Sequence, residues 1–126
     1  MMTATTRNSW DSHNSIPLSI DESITAIQNS RRRLVLLFLD ELETPIGVDE
    51  LAEAITVLET GKKRYELGAQ DRKSVYVALI QVHLDTLDDL GAVVYDDQSK
   101  RVWPTGATAP LVSIIRYLQS VCDADS

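Results

Sequence analysis

Cysteine and long apolar runs are scarce in this chain of 126 residues. Cys122 is the one cysteine, which excludes an internal disulfide and a thiolate-rich zinc site. No apolar run approaches the roughly 20 residues that cross a bilayer, and the N-terminus lacks the basic and apolar regions of a secretory signal. These absences predict one cytoplasmic domain that makes no contact with a membrane.

Positive charge is also in short supply. Lys and Arg number 12 against 19 Asp and Glu, so the formal net charge is −7, and phosphates repel a uniformly acidic surface. The charges are segregated, however, because residues 40–59 carry seven acids and no base, whereas residues 62–73 carry five bases and two acids. This pattern permits a basic face on an acidic body, and ordinary solvated faces of alternating sign explain it equally well.

The N-terminal residues 1–18 are rich in Thr, Ser and Asn. Such a composition cannot build a core, so we expect a flexible or loosely docked arm. After it, Ser19 or Asp21 can cap a short helix over residues 21–28. Apolar side chains follow one side of this helix: Ile20, Ile24 and Ile27.

A second helix is predicted from residue 31 to about residue 42, with Ser30 as its cap. Its six consecutive apolar residues, 34–39, indicate a helix buried on all sides at the centre of the core. Three arginines, 31–33, lie at its start, where the helix dipole disfavours positive charge by roughly 0.3–1 kcal/mol per group. Ion pairs with the acids of residues 40–59 can offset this cost, and so can phosphate contacts.

A turn over residues 44–47 precedes a third helix that begins at Asp49 or one residue earlier. The connection that follows, residues 59–69, is longer than the 3–4 residues of an ordinary helix-turn-helix. It carries three cations: Lys62, Lys63 and Arg64. They either bind phosphate or form a solvated charge run.

A long helical pattern over residues 71–90 ends at Gly91, which suits a left-handed C-cap. Residues 93–95 and 101–103 then read as two strands around a polar turn, which is a β-hairpin. A helix followed by a hairpin is how a winged helix-turn-helix ends. We therefore predict a mainly α fold with a small antiparallel hairpin, a winged helix-turn-helix over residues 19–104.

A final helix is predicted within residues 105–126, with Pro110 in its first turn. Its apolar stripe packs either into the core of the same chain or against a second copy. We favour a homodimer, because two-fold symmetric regulators commonly pair through terminal helices. The predicted interface consists of Leu111, Ile114, Ile115, Leu118 and Cys122.

Double-stranded DNA is the predicted partner, because the first turns of a recognition helix meet base edges and a wing contacts the backbone. Arg72 could pair with guanine, whereas Tyr76 has core packing as its favoured alternative. Asp96 and Asp97 in the hairpin turn oppose DNA binding. The predicted contacts are Arg72, Lys73, Tyr76, Lys100, Arg101, Lys62, Lys63 and Arg64.

Catalytic and ligand-binding motifs are missing from the sequence. There is no glycine-rich phosphate loop and no Ser or Cys elbow, and the carboxylates lie at solvent spacing in helices. His13 and His83 lack neighbours at metal-binding spacing. We expect a protein that is not an enzyme and that has no cofactor, metal or evident small-molecule ligand.

Several strings resemble a known family: Asn29 with the arginines at 31–33, Val-Asp-Glu-Leu-Ala at 48–52, Arg-Lys-x-Val-Tyr-x-Ala-Leu-x-Gln-x-His-Leu at 72–84 and Leu-Gly-Ala-Val at 90–93. They are similar to an otherwise uncharacterised haloarchaeal winged-helix family, which distantly resembles arsenic-repressor-type transcriptional regulators. The resemblance covers about residues 20–104 and implies a cytoplasmic, dimeric regulator of an extreme halophile. Metal sensing is not implied, because the arsenic-type cysteines have no counterpart.

Two functions remain open at this point. The first is a DNA-binding transcriptional regulator that acts as a homodimer. The second is a winged-helix module for protein–protein interaction or dimerisation that does not bind DNA. The acidic balance, the apolar recognition helix and the long connection favour the second.

Overall fold

The computed structural model describes residues 16–122, so most of the predicted arm over residues 1–18 lies outside the described residues. Ile16 and Leu18, at the end of that arm, pack against the core. The elements in chain order are α1 (Ile20–Ile27), α2 (Ser30–Leu39), β1 (Ile46–Gly47), α3 (Val48–Thr60), α4 (Ala69–Ala78), α5 (Leu84–Leu90), β2 (Val93–Asp96), β3 (Arg101–Pro104) and α6 (Thr108–Val121).

The first two helices begin at side-chain caps. At α1, the Ser19 hydroxyl accepts the Glu22 N–H at 3.0 Å and the Glu22 carboxylate accepts the Ser19 N–H at 2.9 Å, which confirms Ser19 as the cap. At α2, the prediction of Ser30 was wrong by one residue. Asn29 is the cap, because its side-chain oxygen accepts the backbone N–H three residues later at 3.0 Å.

The core lies between α2, α3, α5, α6 and the inner side of the sheet. Its largest fully buried side chains include Leu36, Leu39, Leu51, Ile55, Leu84, Leu87, Leu111 and Ile115. Each stabilises the fold by about 1.5–3 kcal/mol relative to an exposed position. The prediction that α2 is buried on all sides was wrong, since Leu34, Leu37 and Phe38 are only partly buried on its outer side.

The sheet has three antiparallel strands in the order β1-β3-β2. The predicted hairpin is confirmed, with Tyr95 opposite Val102. The turn predicted over residues 44–47 was partly wrong, because Ile46 and Gly47 form β1 against β3. A strand of two residues has no periodicity of its own, and this one exists because β3 offers it a partner.

The predicted long helix is present but is interrupted at Leu79–His83 by a π-helical turn, which joins α4 to α5. Gly91 ends α5 at φ 81°, as its expected left-handed C-cap. Between α3 and α4, residues 61–68 contain a short 3₁₀ turn at Arg64–Glu66. The fold is mainly helical with a small antiparallel sheet and is compatible with a winged helix, in which α3 and α4 are the paired helices and β2–β3 is the wing.

The three arginines at the start of α2 have different partners. Arg31 forms a bidentate ion pair with Glu59, with N–O distances of 2.7 and 2.5 Å. Arg32 and Arg33 instead donate to backbone carbonyls at the C-terminal end of α1, at 2.6–3.3 Å. The sequence left two roles open for these arginines, ion pairs with the acids of residues 40–59 and phosphate contacts. Arg31 forms such an ion pair.

None of the helices within residues 16–122 combines the length and the apolar character that a transmembrane span needs.

Candidate nucleic-acid interface

The outer face of α4 consists of Gln70, Lys73, Ser74 and Val77, which are all exposed. Their spacing of three and four residues places them on one side of the helix. The Gln70 amide donates to the Ser74 hydroxyl at 3.3 Å. None of the four is acidic, and amide, ammonium and hydroxyl groups are among those that read base edges in a major groove.

Arg72 lies on a different side of α4 from this outer face. Its guanidinium Nη1 is 3.7 Å from Glu53 Oε2 on α3, and Arg64 Nε is 3.5 Å from Glu53 Oε1. Two of the predicted DNA contacts therefore share one carboxylate. Lys73, rather than Arg72, is the cation that α4 presents on its outer face.

The cations of the connection have different neighbours. Lys62 Nζ is 3.1 Å from Asp71 Oδ2, and this carboxylate also accepts the Gly68 N–H at 3.0 Å. The backbone hydrogen bond from Gly68, and after it the Lys62 ammonium, lowers the pKa of the Asp71 carboxyl. Lys63 lies over the Tyr65 ring at 6.0 Å, the outer limit of a cation–π contact.

The acids of the wing turn build the turn itself. Asp97 Oδ1 accepts from Lys100 Nζ at 2.6 Å and from the Tyr95 hydroxyl at 3.0 Å, which raises the pKa of Lys100 and lowers that of Asp97. Asp96 accepts from Ser99 Oγ at 2.8 Å. Lys100 has a left-handed φ of 54°, so its backbone conformation is set by this turn.

One cleft brings the wing and α4 together. It has a volume of about 560 Å³, and Tyr76 of α4 lines it beside Lys100 and Arg101 of the wing. Tyr76 is also partly buried against the core, which agrees with its favoured alternative. Asp49 and Glu50, from the start of α3, line the same cleft. Three of the predicted contacts thus share a site with two carboxylates.

These two acids should weaken DNA binding. We expect Glu50→Gln to raise the affinity for a DNA duplex about threefold at 0.1 M salt, because it removes one negative charge from the cleft. Asp85→Asn on α5 makes the same change of charge outside the cleft and serves as the control. Fluorescence anisotropy titration measures both, and an equal gain from Asp85→Asn would show that only the net charge matters.

The predicted dimer residues of α6 do not share one face. Leu111 and Ile115 are 0% and 1% exposed, so they belong to the core of their own chain and are not accessible to a partner. That part of the prediction was wrong, because both side chains are part of the hydrophobic core on which α6 packs. Ile114 is half-buried, and Leu118 and Cys122 are exposed.

Gln70 and Ser74 are candidates for DNA contact that were not predicted from the sequence. Their position around the helix was the available signal. Val75, and Leu79 in the π-helical turn that follows α4, mark the buried side, and Gln70 and Ser74 lie away from it. The prediction followed the cations and named both Arg72 and Lys73, of which Lys73 is on the outer side and Arg72 is on neither the buried nor the outer side.

Comparison with known proteins yields a family but no characterised relative. No curated protein and no solved structure matches the chain. The profile of a family described as a domain of unknown function, DUF7344, matches residues 24–103. The match begins in the middle of α1 and ends within β3, and it covers more than half of the sequence. The chain therefore belongs to the DUF7344 family.

Proposed function

We propose that this protein is a winged-helix DNA-binding regulator of transcription that acts as a homodimer. The observation that carries the proposal is the acid-free outer face of α4, with Lys73 exposed between Gln70, Ser74 and Val77. A helix that enters the major groove needs hydrogen-bonding groups on its outer side and no carboxylate facing phosphate. The resemblance to the uncharacterised haloarchaeal winged-helix family, which distantly resembles arsenic-repressor-type regulators, supports the same proposal, with the cytoplasm of a halophile as its setting.

The ion pairs of the neighbouring cations do not prevent phosphate binding. The side chains of Arg64, Arg72 and Lys100 are 73%, 42% and 42% exposed. Exposed pairs of this kind contribute about 0–1 kcal/mol each, so a phosphate can replace the carboxylate at little cost. Lys73 and Arg101 have no ion-pair partner within residues 16–122 and need no exchange.

Lys73→Ala tests the proposal most directly. We expect it to lower the affinity for a duplex selected by the wild-type protein from a random library by about tenfold, and to reduce the salt slope by about one. The measurement is anisotropy at 0.1 M and 0.3 M salt. Arg116→Ala on α6 is the control, because it removes an exposed cation that pairs with Glu41 and is not among the predicted DNA contacts, and the affinity of this variant should stay within about twofold.

Two results would contradict DNA binding through α4. One is an equal loss of affinity in the Lys73 and Arg116 variants, which would indicate nonspecific attraction to positive charge. The other is a wild-type protein that selects no duplex even at 0.05 M salt.

A protein-interaction module without DNA binding is the second candidate. The observation that favours it is an apolar groove of about 500 Å³ between α2 and α3, with Leu37, Phe38 and Leu58 among its lining. Leu58 is 58% exposed. Failure to bind any duplex at low salt would favour this candidate, because electrostatic attraction to DNA is then at its strongest.

A further inference from the structure

We propose that an apolar surface formed jointly by α1 and α6 binds a second copy of this chain. This α1–α6 face consists of Ile20, Ile24, Ile114, Tyr117, Leu118 and Val121. The proposal names the interface of the homodimer. It rests on the homodimer of the proposed function, but not on DNA binding. Four of its six residues were not among the interface residues predicted from the sequence.

The exposure of this face is unusual for a monomer. Ile20 is 79% exposed, Tyr117 65%, Val121 56%, Ile24 50% and Leu118 40%. Together these side chains expose on the order of 600 Å² per copy, most of the roughly 800 Å² that each partner contributes to a stable interface of standard size. Scattered apolar residues need no explanation, whereas a contiguous patch of this size indicates a binding surface.

The two helices form one continuous surface. A depression of about 350 Å³ between them is lined by Ile20 and Ile24 from α1 and by Ile114 from α6. A second depression, of about 290 Å³, lies beside it and is lined by Ile114, Tyr117 and Pro110. Ile16 lines both depressions and connects them. A partner that covers one depression therefore reaches the other.

The chemistry of the lining indicates which partner fits. Within residues 16–122, no charged side chain lines either depression, and the polar side-chain atoms are the hydroxyls of Ser23, Ser113 and Tyr117. A partner that covers the two depressions must therefore be apolar and uncharged over their area. A second copy of this face meets that requirement, because no charge is buried when the two faces meet. A two-fold axis brings a patch against itself, so depressions on one copy can receive Ile20 and Tyr117 of the other.

This face also leaves the outer face of α4 free. α1 packs on α2, α5 and α6, and α6 packs on α2 and α1, so neither element contributes to the cleft between α4 and the wing. Two copies joined through α1 and α6 would therefore present two outer faces of α4. This is the arrangement that a palindromic pair of half-sites requires.

Ile24→Lys in the full-length chain tests the interface. We expect the wild-type protein to be a dimer in sedimentation equilibrium, and the variant to raise the dimer dissociation constant at least about 30-fold, as a charge at a buried interface position does. Leu58→Lys is the matched control, because Leu58 is equally apolar and 58% exposed but lies in the groove between α2 and α3. It should leave the dissociation constant within about twofold. Circular dichroism verifies that both variants fold.

A second variant and a change of salt complete the test. Tyr117→Glu should dissociate the dimer as Ile24→Lys does, and 2 M NaCl should not weaken the wild-type dimer, because apolar association is not screened. DNA binding should fall under the same salt, so the two parts of the proposed function can fail separately. A monomeric wild type would overturn the α1–α6 interface and leave residues 1–15 or a different protein as the occupant. Dissociation by Leu58→Lys alone would overturn it in favour of the groove.

Discussion

Arg32→Ala should lower the free energy of unfolding by about 2–3 kcal/mol, a large loss for a domain of this size. The Arg32 side chain is almost fully buried, with a residue exposure of 7%. Its Nη2 donates to the Thr25 carbonyl at 2.6 Å and its Nε to the Ala26 carbonyl at 3.3 Å. These are carbonyls of the last turn of α1, which have no partner within their own helix. Alanine leaves them unpaired and leaves a cavity as well.

Arg31→Ala is the matched control, one residue earlier. It removes the bidentate pair with Glu59, whose two side chains are 28% and 25% exposed. Water can replace much of that pair, so we expect a loss of only about 0.5–1 kcal/mol. Urea unfolding measures both, with the slope against urea unchanged. Equal losses in the two variants would contradict the capping role of Arg32.

Lowering the pH from 7 to 5 should destabilise the protein through His83. This side chain is buried on the π-helical turn, and among residues 16–122 its Nδ1 has no hydrogen-bond partner. Burial, and after it the charges of Arg32 and Arg31, lowers the pKa of His83 below its ordinary value of 6.5, against a smaller opposing effect of Glu59. As the pH falls below 6.5, the folded chain therefore keeps His83 neutral at pH values at which the unfolded chain already binds a proton.

The sign of the effect follows from this difference. Above about pH 7 both states are neutral, so His83 contributes nothing to the pH dependence. As the pH falls through 6.5 the unfolded state binds the proton first, and stability declines until the folded state also protonates. The carboxyls of Asp71, Asp96 and Asp97 have pKa values below the ordinary 3.8, so the stability that they contribute is lost only at lower pH.

His83→Gln separates His83 from other causes of acid sensitivity. We expect the variant to flatten the decline of unfolding free energy between pH 7 and pH 5, measured by urea unfolding at intervals of half a pH unit. The chain has two histidines, and His13→Gln is the matched control that should retain the wild-type decline. A decline that survives in His83→Gln would assign the acid sensitivity to other groups.

Much of the fold could be predicted because its signals are local. Ser19 caps α1 through a residue three positions away, and Gly91 ends α5 with its own backbone conformation. The hairpin follows from two short strands around a polar turn. Interactions of this kind act within a few residues, so a reading along the chain detects them. The strand β1 escaped detection because its pairing with β3 joins residues more than fifty positions apart.

The candidate site was less predictable than the fold. The sequence correctly placed the basic residues on the connection, α4 and the wing, but it could not tell which of them are paired. Glu53 holds both Arg64 and Arg72, and the first of these lies eleven positions from Glu53 and the second nineteen. Which cation faces outward depends on where α3 passes α4, and that is a matter of packing.

The sequence by itself determined the helices, the hairpin, the absence of a disulfide and the segregation of charge, because each depends on residue type and on neighbours along the chain. The tertiary structure alone decided that Leu111 and Ile115 face inward while Ile20 and Tyr117 face outward. The sequence does not show whether an apolar side chain points into the core or toward solvent. The helices that pack around it select which apolar side chains are buried and which remain for a partner.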